Sequence, residues 1–94
     1  YDVHRVRNEP GYLLDCQSDL VRHLNTRVVV PLRKPDEAPI AGARLNPEFV
    51  IEGDRYVMVT QFAGAVPVRD LGEPLLSLDD QHDRIVAAFD VLLT

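Results

Sequence analysis

Apolar and polar residues alternate over short stretches along much of the chain, and this period of two is typical of half-buried β-strands. Residues 1–6 alternate in this way, and residues 12–16 form a second short, largely apolar stretch. Residues 27–32 carry the strongest strand signal, because three consecutive valines are both apolar and β-branched. Proline cannot donate a hydrogen bond to a sheet, so Pro31 predicts that this strand lies at an edge or ends there.

A tight hairpin is predicted near the middle of the chain. Residues 49–51 and 56–60 are strand-like and flank a short polar segment that contains a glycine. Gly53 and Asp54 suit the two central positions of the turn, since glycine adopts positive φ readily and aspartate tolerates it. We therefore expect two antiparallel strands joined by a turn centred on these two residues.

The segments around these strands carry turn and loop signals. Residues 8–11 combine Pro10 with Gly11, which predicts a turn, because proline presets φ and glycine accepts positive φ. Residues 33–47 contain three prolines and a glycine and are interpreted as a long irregular loop. Residues 65–68 are interpreted as a further short strand between turns.

The final segment has the period of an amphipathic helix. Its apolar residues follow the i, i+1, i+4, i+7, i+8 spacing of one buried stripe. The stripe consists of Ile85, Val86, Phe89, Leu92 and Leu93. Ala87, Ala88 and Val91 make the opposite side apolar as well, so we expect the helix to have two neighbours, its own sheet and a second copy of the chain. The predicted dimer contacts are Phe89, Val91 and Leu92.

Polar residues define the start of this helix. Ser77, followed three residues later by Asp80, is interpreted as an N-cap, although Glu or Gln is the usual partner in a capping box. Asp79, Asp80 and Asp83 suit the positive end of the helix dipole. At the other end there is neither a glycine nor a basic residue to cap the last carbonyls, so we expect the natural chain to continue beyond Thr94.

The order of the predicted elements, several strands followed by one helix, suggests a small, strongly bent sheet or barrel closed by a carboxyl-terminal helix. The 94 residues are interpreted as one domain, residues 1–94. A chain of this size buries only about 60–65% of the surface of its unfolded state, so its core is small and a dimer partner would add to it.

Composition narrows the classes of function. The formal net charge is −5, which weighs against direct binding of nucleic acid, because such binding needs a basic surface. Cys16 is the one cysteine of the sequence, so neither an intramolecular disulfide nor a multi-thiolate metal site is available. No apolar run approaches the roughly 20 residues of a membrane span, and the first residues contain no signal-peptide core. We therefore expect a cytoplasmic protein without a membrane contact.

No constellation of residues predicts catalysis or a cofactor. The three histidines share no metal-ligand spacing, and the carboxylates around His82 are interpreted as a solvated first helical turn. Cys16 is interpreted as a small core residue. Five basic residues could form a strip, but scattered solvated charges are the favoured interpretation on an acidic protein. These residues are Arg5, Arg7, Arg27, Arg33 and Lys34. We expect neither an enzyme nor a metal or cofactor site.

Five segments, taken in order, resemble the CcdB toxin family of bacterial toxin–antitoxin pairs. Residues 12–19 resemble the family's tyrosine-led segment ending in Asp-Val-Gln-Ser-Asp, and residues 27–32 resemble its Arg-Met-Val-Ile-Pro-Leu strand. Residues 45–54 resemble its Leu-Tyr-Pro and Ile-Gly-Asp hairpin. Residues 65–73 resemble its Ser-Val-Pro-Val and Ile-Gly-Glu motifs, and the helix from about Leu78 follows in the same place. Each motif is weak alone, but together they cover nearly the whole chain.

The resemblance implies an SH3-like β-barrel with a terminal helix, and a homodimer packed across that helix. It also implies two protein partners: a CcdA-like antitoxin that neutralises the dimer, and the A subunit of DNA gyrase, which the toxin traps on cleaved DNA. DNA would be contacted only indirectly, through gyrase or through the antitoxin when the pair represses its own operon. The gyrase-binding surface of the family corresponds here to Leu20 and Val21 and, at the helix end, to Asp90, Leu93 and Thr94.

One departure from the family pattern bears on activity. The family ends in Phe-Trp-Gly-Ile, and its Trp is the residue on which gyrase binding depends, whereas Leu93 and Thr94 stand at the Phe and Trp positions here. Two alternatives therefore stay open. One is a non-toxic relative that keeps the dimer and antitoxin contacts, and the other is a MazF-like endoribonuclease toxin. The second would need a basic groove beside a general acid or base.

Overall fold

Seven β-strands precede one helix in the computed structural model, which describes residues 1–6 and 9–94. The strands are β1 (Asp2–Arg5), β2 (Tyr12–Asp15), β3 (Thr26–Arg33), β4 (Glu48–Ile51), β5 (Asp54–Met58), β6 (Gly64–Pro67) and β7 (Pro74–Ser77), and the helix is α1 (His82–Leu93). Short 3₁₀ turns occupy several of the connections. This order confirms the predicted sequence of several strands followed by one helix.

The strands form an antiparallel sheet in the order β4-β5-β3-β2-β1-β7, and β6 joins it by pairing with β3. The long strand β3 therefore has neighbours on both sides: β2 on one, and β6 and β5 in succession on the other. The sheet curls into a half-barrel, and α1 packs against its apolar face. The predicted fold class, a small bent sheet closed by a carboxyl-terminal helix, is confirmed.

One face of the sheet supplies the core, because side chains alternate across each strand. Buried residues recur at every second position in four strands: Tyr12 and Leu14, Val30 and Leu32, Phe49 and Ile51, and Tyr56 and Met58. Ile85 and Ala88 of α1 join this core and are almost fully buried. Burying one such aliphatic side chain contributes about 1.5–3 kcal/mol, so these residues attach the helix to the sheet.

Pro31 lies inside the central strand, so the prediction that its strand is an edge strand, or ends there, is wrong. β3 continues through Pro31 to Arg33 and pairs with β2 on one side. The Pro31 carbonyl accepts a hydrogen bond from the amide of Val59 at 2.9 Å, so the Pro31 nitrogen faces that same, opposite side. There β6 pairs with residues 26–29 and β5 with residues 32–33. The missing N–H therefore falls between two partner strands, where it costs no ladder bond.

The hairpin between β4 and β5 is present, but its turn lies one residue earlier than predicted. Ile51 pairs with Asp54, so the two central residues are Glu52 and Gly53. Both have positive φ, 51° for Glu52 and 87° for Gly53, as a type I′ turn requires. Glycine fills the second central position, as in the favoured Asn-Gly turns, while the Glu52 carboxylate lies 3.3 Å from Arg5 Nη2.

Strand β7 is missing from the sequence-based prediction, and its presence corrects the interpretation of Ser77 as a helix N-cap. β7 pairs antiparallel with β1, and Asp2 lies opposite Ser77, so Ser77 ends a strand. The Ser77 hydroxyl accepts a hydrogen bond from the Asp79 amide at 3.1 Å, at the start of a 3₁₀ turn, and α1 begins only at His82. Pro74 is the first residue of β7, and a proline at this position makes a strand hard to recognise in the sequence.

The buried face of α1 also differs from the predicted stripe. Ile85 and Ala88 are buried and Phe89 is half-buried, whereas Leu93 is 74% exposed and Val86 is partly exposed. The small side chain of Ala88 allows the helix to lie close to the sheet, so a stripe drawn through the large residues misses the contact.

In the part of the chain that the structure describes, no helix is long and apolar enough to cross a membrane.

A polar anchor holds the loop between β3 and β4, where the sequence predicts irregular structure. The buried side chain of Asn46 accepts a hydrogen bond from the Ala41 amide at 2.8 Å. It also donates to the Met58 carbonyl at 3.0 Å and to the Gln61 side chain at 2.7 Å. One side chain thus ties residues 34–47 to the end of β5.

The predicted turn at residues 8–11 contains one position that requires glycine. Gly11 has a φ of +96°, and a Cβ at this position would lie 2.6 Å from the carbonyl oxygen of Leu32. Any other residue would therefore displace β3 or the turn. Asn8, at the start of the predicted turn, lies outside the described residues.

Candidate functional site: an exposed leucine turn

The predicted contact residues Leu20 and Val21 lie in one 3₁₀ turn, Asp19–Val21, between β2 and β3, and we call it the leucine turn. Leu20 is 89% exposed and Val21 is 37% exposed. A single exposed aliphatic residue is ordinary on a protein surface. Leu20 differs because hydrogen bonds from neighbouring side chains hold its turn outside the core.

Gln17 and Ser18 fix the position of this turn. The Ser18 hydroxyl accepts a hydrogen bond from the Leu20 amide at 3.2 Å, which caps the turn. The Gln17 side chain donates to the Val21 carbonyl at 2.9 Å and accepts from the Val28 amide at 3.0 Å. Gln17 thus links the turn to β3, and these hydrogen bonds hold the backbone of the turn with Leu20 exposed to solvent.

A cleft of about 520 Å³ lies beside the leucine turn. Its walls include Leu20, Cys16, Asp79 and His82. The Tyr1 hydroxyl lies 2.8 Å from His82 Nδ1, so the partner of this imidazole is a phenol. Among residues 1–6 and 9–94, no group of three or more His, Cys, Asp or Glu side chains is arranged to hold a metal ion.

Cys16 borders this cleft and packs against the core as a partly buried residue. Burial raises the pKa of its thiol from the ordinary value of 9.0 to about 12, and the neighbouring Asp15 carboxylate acts in the same direction. The thiol is therefore protonated at physiological pH and is a poor nucleophile.

Native Cys16 is expected to react with iodoacetamide at pH 8 at least about tenfold more slowly than in the urea-unfolded chain, because the folded thiol is rarely ionised. Thiol titration over time measures both rates. The unfolded thiol ionises near its ordinary pKa and the folded thiol only near pH 12. Raising the pH between these values therefore favours the unfolded state. Equal alkylation rates in both states would contradict a buried thiol.

The other predicted contact residues lie at the end of α1. Asp90, Leu93 and Thr94 are all exposed. The amide of Thr94 donates to the Asp90 carbonyl at 3.0 Å, and the Thr94 hydroxyl donates to the same oxygen. Leu20 shares its cleft with His82 at the start of the helix, whereas Leu93 lies about 16 Å further along the helix axis. In one chain, the two halves of the predicted gyrase surface therefore lie towards opposite ends of α1.

The predicted dimer contacts lie near the same helix end but not on one face, since Val91 is roughly 160° around the helix from Phe89. Val91 and Leu92 are 43% and 38% exposed, and Phe89 is half-buried against the core. Exposed aliphatic side chains such as Val91 and Leu92 are available to a second copy of the chain.

The basic residues expected to be scattered make separate contacts. Arg5 pairs with Glu52, and Arg27 Nε lies 3.9 Å from Asp15 Oδ2. Arg33 and Lys34 are exposed, and Arg7 lies outside the described residues.

The fold instead brings together three arginines that no sequence pattern predicts to be neighbours. Arg22, Arg27 and Arg69 line a cleft of about 360 Å³ together with Leu24, Pro67 and Val68, and we call it the arginine cleft. The pairing of β3 with β6 brings residues 22–27 and 67–69 together. About 40 positions separate them in the sequence, so no local pattern signals the cluster.

The architecture, a curled sheet with a terminal helix, is shared with two solved structures. A solved structure described as the Mycobacterium tuberculosis toxin MazF-mt6 superposes with a TM-score of 0.74 at 18% sequence identity. The match covers 97% of this chain and 94% of that one. A second structure, described as an Mtb toxin, has a TM-score of 0.71 at 18% identity and covers 94% of this chain and 97% of its own.

A sequence model of the CcdB family, described as CcdB protein, matches residues 1–94. The chain therefore belongs to the CcdB family. No curated protein matches the chain. Family membership points to the toxin of a toxin–antitoxin pair, and the likeness to the two solved structures establishes the fold.

Proposed function

We propose that this protein is a non-enzymatic toxin that binds the A subunit of DNA gyrase and traps the enzyme on cleaved DNA. The observation that carries the proposal is the leucine turn. Leu20 is almost fully exposed, and the hydrogen bonds of Gln17 and Ser18 hold it in place. It occupies the position that contacts gyrase in the family.

A rigid apolar anchor suits this role energetically. Burying an exposed Leu side chain in a partner's pocket contributes about 1.5–3 kcal/mol, and a turn that is already ordered adds little entropy cost on binding. The acidic charge of −5 is compatible with this mode, because gyrase and not the toxin would hold the DNA.

A gyrase cleavage assay tests the proposal. The purified protein is mixed with gyrase, ATP and supercoiled plasmid, and the reaction is quenched with detergent and protease. Linear DNA is the expected product. A folded protein that yields no linear DNA would refute gyrase poisoning and favour the non-toxic relative, which would keep only its dimer and antitoxin contacts.

Dimer formation is part of the proposal. The exposed Val91 and Leu92 near the helix end, together with the half-buried Phe89, are the proposed interface. Because Leu20 lies near the start of α1 and Leu93 near its end, a second copy would offer a further leucine turn and helix end to the same target.

Light scattering at micromolar concentration is expected to give the mass of a dimer, about twice the 10.6 kDa of the chain. Leu92→Glu is expected to shift the protein towards the monomer, because a carboxylate would be buried without a partner. Val50→Glu, an equally charged change on the exposed face of β4, is the control. A wild-type monomer would refute the interface.

The alternative, an endoribonuclease, draws on the fold shared with the MazF-mt6 toxin. Such an enzyme needs cationic groups beside a general acid or base. In the described part of this chain, His82 and Asp79 line one cleft, while Arg22, Arg27 and Arg69 line another. Because the candidate acid and base lie apart from the arginines, a binding protein is favoured over an endoribonuclease. Cleavage of a single-stranded RNA by the protein would favour the endoribonuclease instead.

The proposed antitoxin is a CcdA-like protein that covers the toxin. Any repression of the operon by the pair would take its DNA contacts from the antitoxin, because this chain is acidic. A location in the cytoplasm, where gyrase acts, belongs to the same proposal.

A further inference from the structure

The arginine cleft is a positively charged site on an acidic protein. Arg22, Arg27 and Arg69 converge on it from two separate segments. The amide of Val68 donates to the Asn25 carbonyl at 2.8 Å, so the two walls are joined by the backbone. The gyrase proposal does not use this cleft.

The three guanidinium groups differ in how firmly they are held. Arg27 donates to the Arg22 carbonyl at 3.0 Å and lies near Asp15, so its position is fixed. Arg22 pairs with Asp19 at 3.2 Å, but both side chains are largely exposed, and such surface pairs exchange partners at little cost. Among residues 1–6 and 9–94, no carboxylate lies within 4.0 Å of Arg69.

The rest of the lining is apolar. Leu24 and Val68, which are 45% and 38% exposed, line the cleft together with Pro67 and the arginines. A ligand that fits this pattern carries carboxylates on both sides of an aliphatic group, because arginine binds carboxylates in bidentate geometry. Arg69 also borders a second cleft with Arg5 and Leu71, so an extended ligand could continue past it.

Charge decides between a peptide and a nucleic acid. A nucleic acid is a long polyanion, and the net charge of −5 opposes its approach to the surface. A short acidic peptide segment meets only the local arginines, and it also supplies the aliphatic group that Leu24 and Val68 would cover. Backbone phosphates of RNA or DNA offer no such group.

We infer that the arginine cleft binds an extended acidic segment of the antitoxin, with an aliphatic side chain placed between carboxylates. The assignment to the antitoxin rests on the proposed toxin role, while the acidic-peptide chemistry follows from the cleft. The cleft and the leucine turn would then be adjacent surfaces joined at Arg22, one for neutralisation and one for the target.

Titration of the full chain with the peptide acetyl-Glu-Leu-Glu-Leu-Glu-amide, followed by NMR of methyl groups, tests the inference. The Leu24 and Val68 methyl signals are expected to shift and saturate with a Kd of about 1 mM or tighter. Arg69→Gln is expected to weaken binding about five- to tenfold. The matched control is Arg55→Gln, which removes the same charge from a residue that lines neither cleft and is expected to leave binding unchanged.

Three results would overturn the inference: equal weakening by both variants, equal binding of the lysine peptide acetyl-Lys-Leu-Lys-Leu-Lys-amide, or tighter binding of a uridine hexanucleotide than of the acidic peptide at the same signals. The gyrase cleavage assay separates this inference from the proposed function. Arg69→Gln is expected to poison gyrase like the wild type, whereas Leu20→Glu is expected to bind the peptide and not to poison. Peptide binding without poisoning by the wild type would support the cleft and refute the gyrase role.

Discussion

Leu20→Glu is expected to lower the yield of linear DNA in the gyrase cleavage assay about a hundredfold at equal protein concentration. The change removes the apolar surface that the turn presents, and it would bury a carboxylate without a partner in the complex. Because Leu20 is almost fully exposed in the free protein, the same change is expected to alter the free energy of unfolding by less than about 0.5 kcal/mol.

Val50→Glu is the matched control for this experiment. Val50 is 65% exposed on β4, so the change adds the same charge to an exposed aliphatic position away from the leucine turn. Poisoning by the Val50 variant is expected to equal that of the wild type. If both variants lose activity equally, net charge is responsible, and if Leu20→Glu unfolds the protein, Leu20 has a structural role.

Asn46→Ala is expected to lower the free energy of unfolding by about 3 kcal/mol. The change removes the acceptor of the Ala41 amide and the donor to the Met58 carbonyl, and it leaves these backbone groups unpaired near the core. Each unsatisfied buried group costs about 1–3 kcal/mol, and the loop also loses its attachment to Gln61.

Urea unfolding followed by circular dichroism measures this loss, at a fixed protein concentration because association would change the apparent stability. Asn25→Ala is the control, since Asn25 is exposed and its backbone carbonyl survives the change. A loss below about 0.5 kcal/mol for Asn46→Ala would mean that water replaces the side chain and that the anchor is dispensable.

The sequence predicts the elements whose pattern is local. The alternation around residues 12–16 and 27–32 predicts strands that the structure contains, and the apolar period predicts a helix ending near Leu93. The prediction fails where a distant partner decides. Pro31 fits a central strand only because its missing N–H lies between the residues that pair with β6 and those that pair with β5, and β7 is recognisable only through its pairing with β1.

The candidate site likewise has one part that the sequence predicts and one part that it does not. Leu20 and Val21 follow a motif that can be read locally, and the structure explains it: Gln17 and Ser18 hold the turn. The arginine cleft could not be predicted from the sequence, since its residues become neighbours only when β6 pairs with β3. The predicted helix face is wrong because a buried Ala88 contributes little to an apolar pattern that large residues dominate.

The pairing of β1 with β7 also sets the moment at which the fold is complete during synthesis. The outer partner of β1, residues 74–77, is made about 70 residues after β1 itself. At about 5–20 residues per second, the ribosome needs roughly 4–15 seconds to reach that partner. The leucine turn leaves the ribosome early, but the sheet that supports it closes only when β7 and α1 have docked. A nascent chain therefore carries the contact residues without the rigid surface, and an antitoxin already present meets the finished surface as soon as it forms.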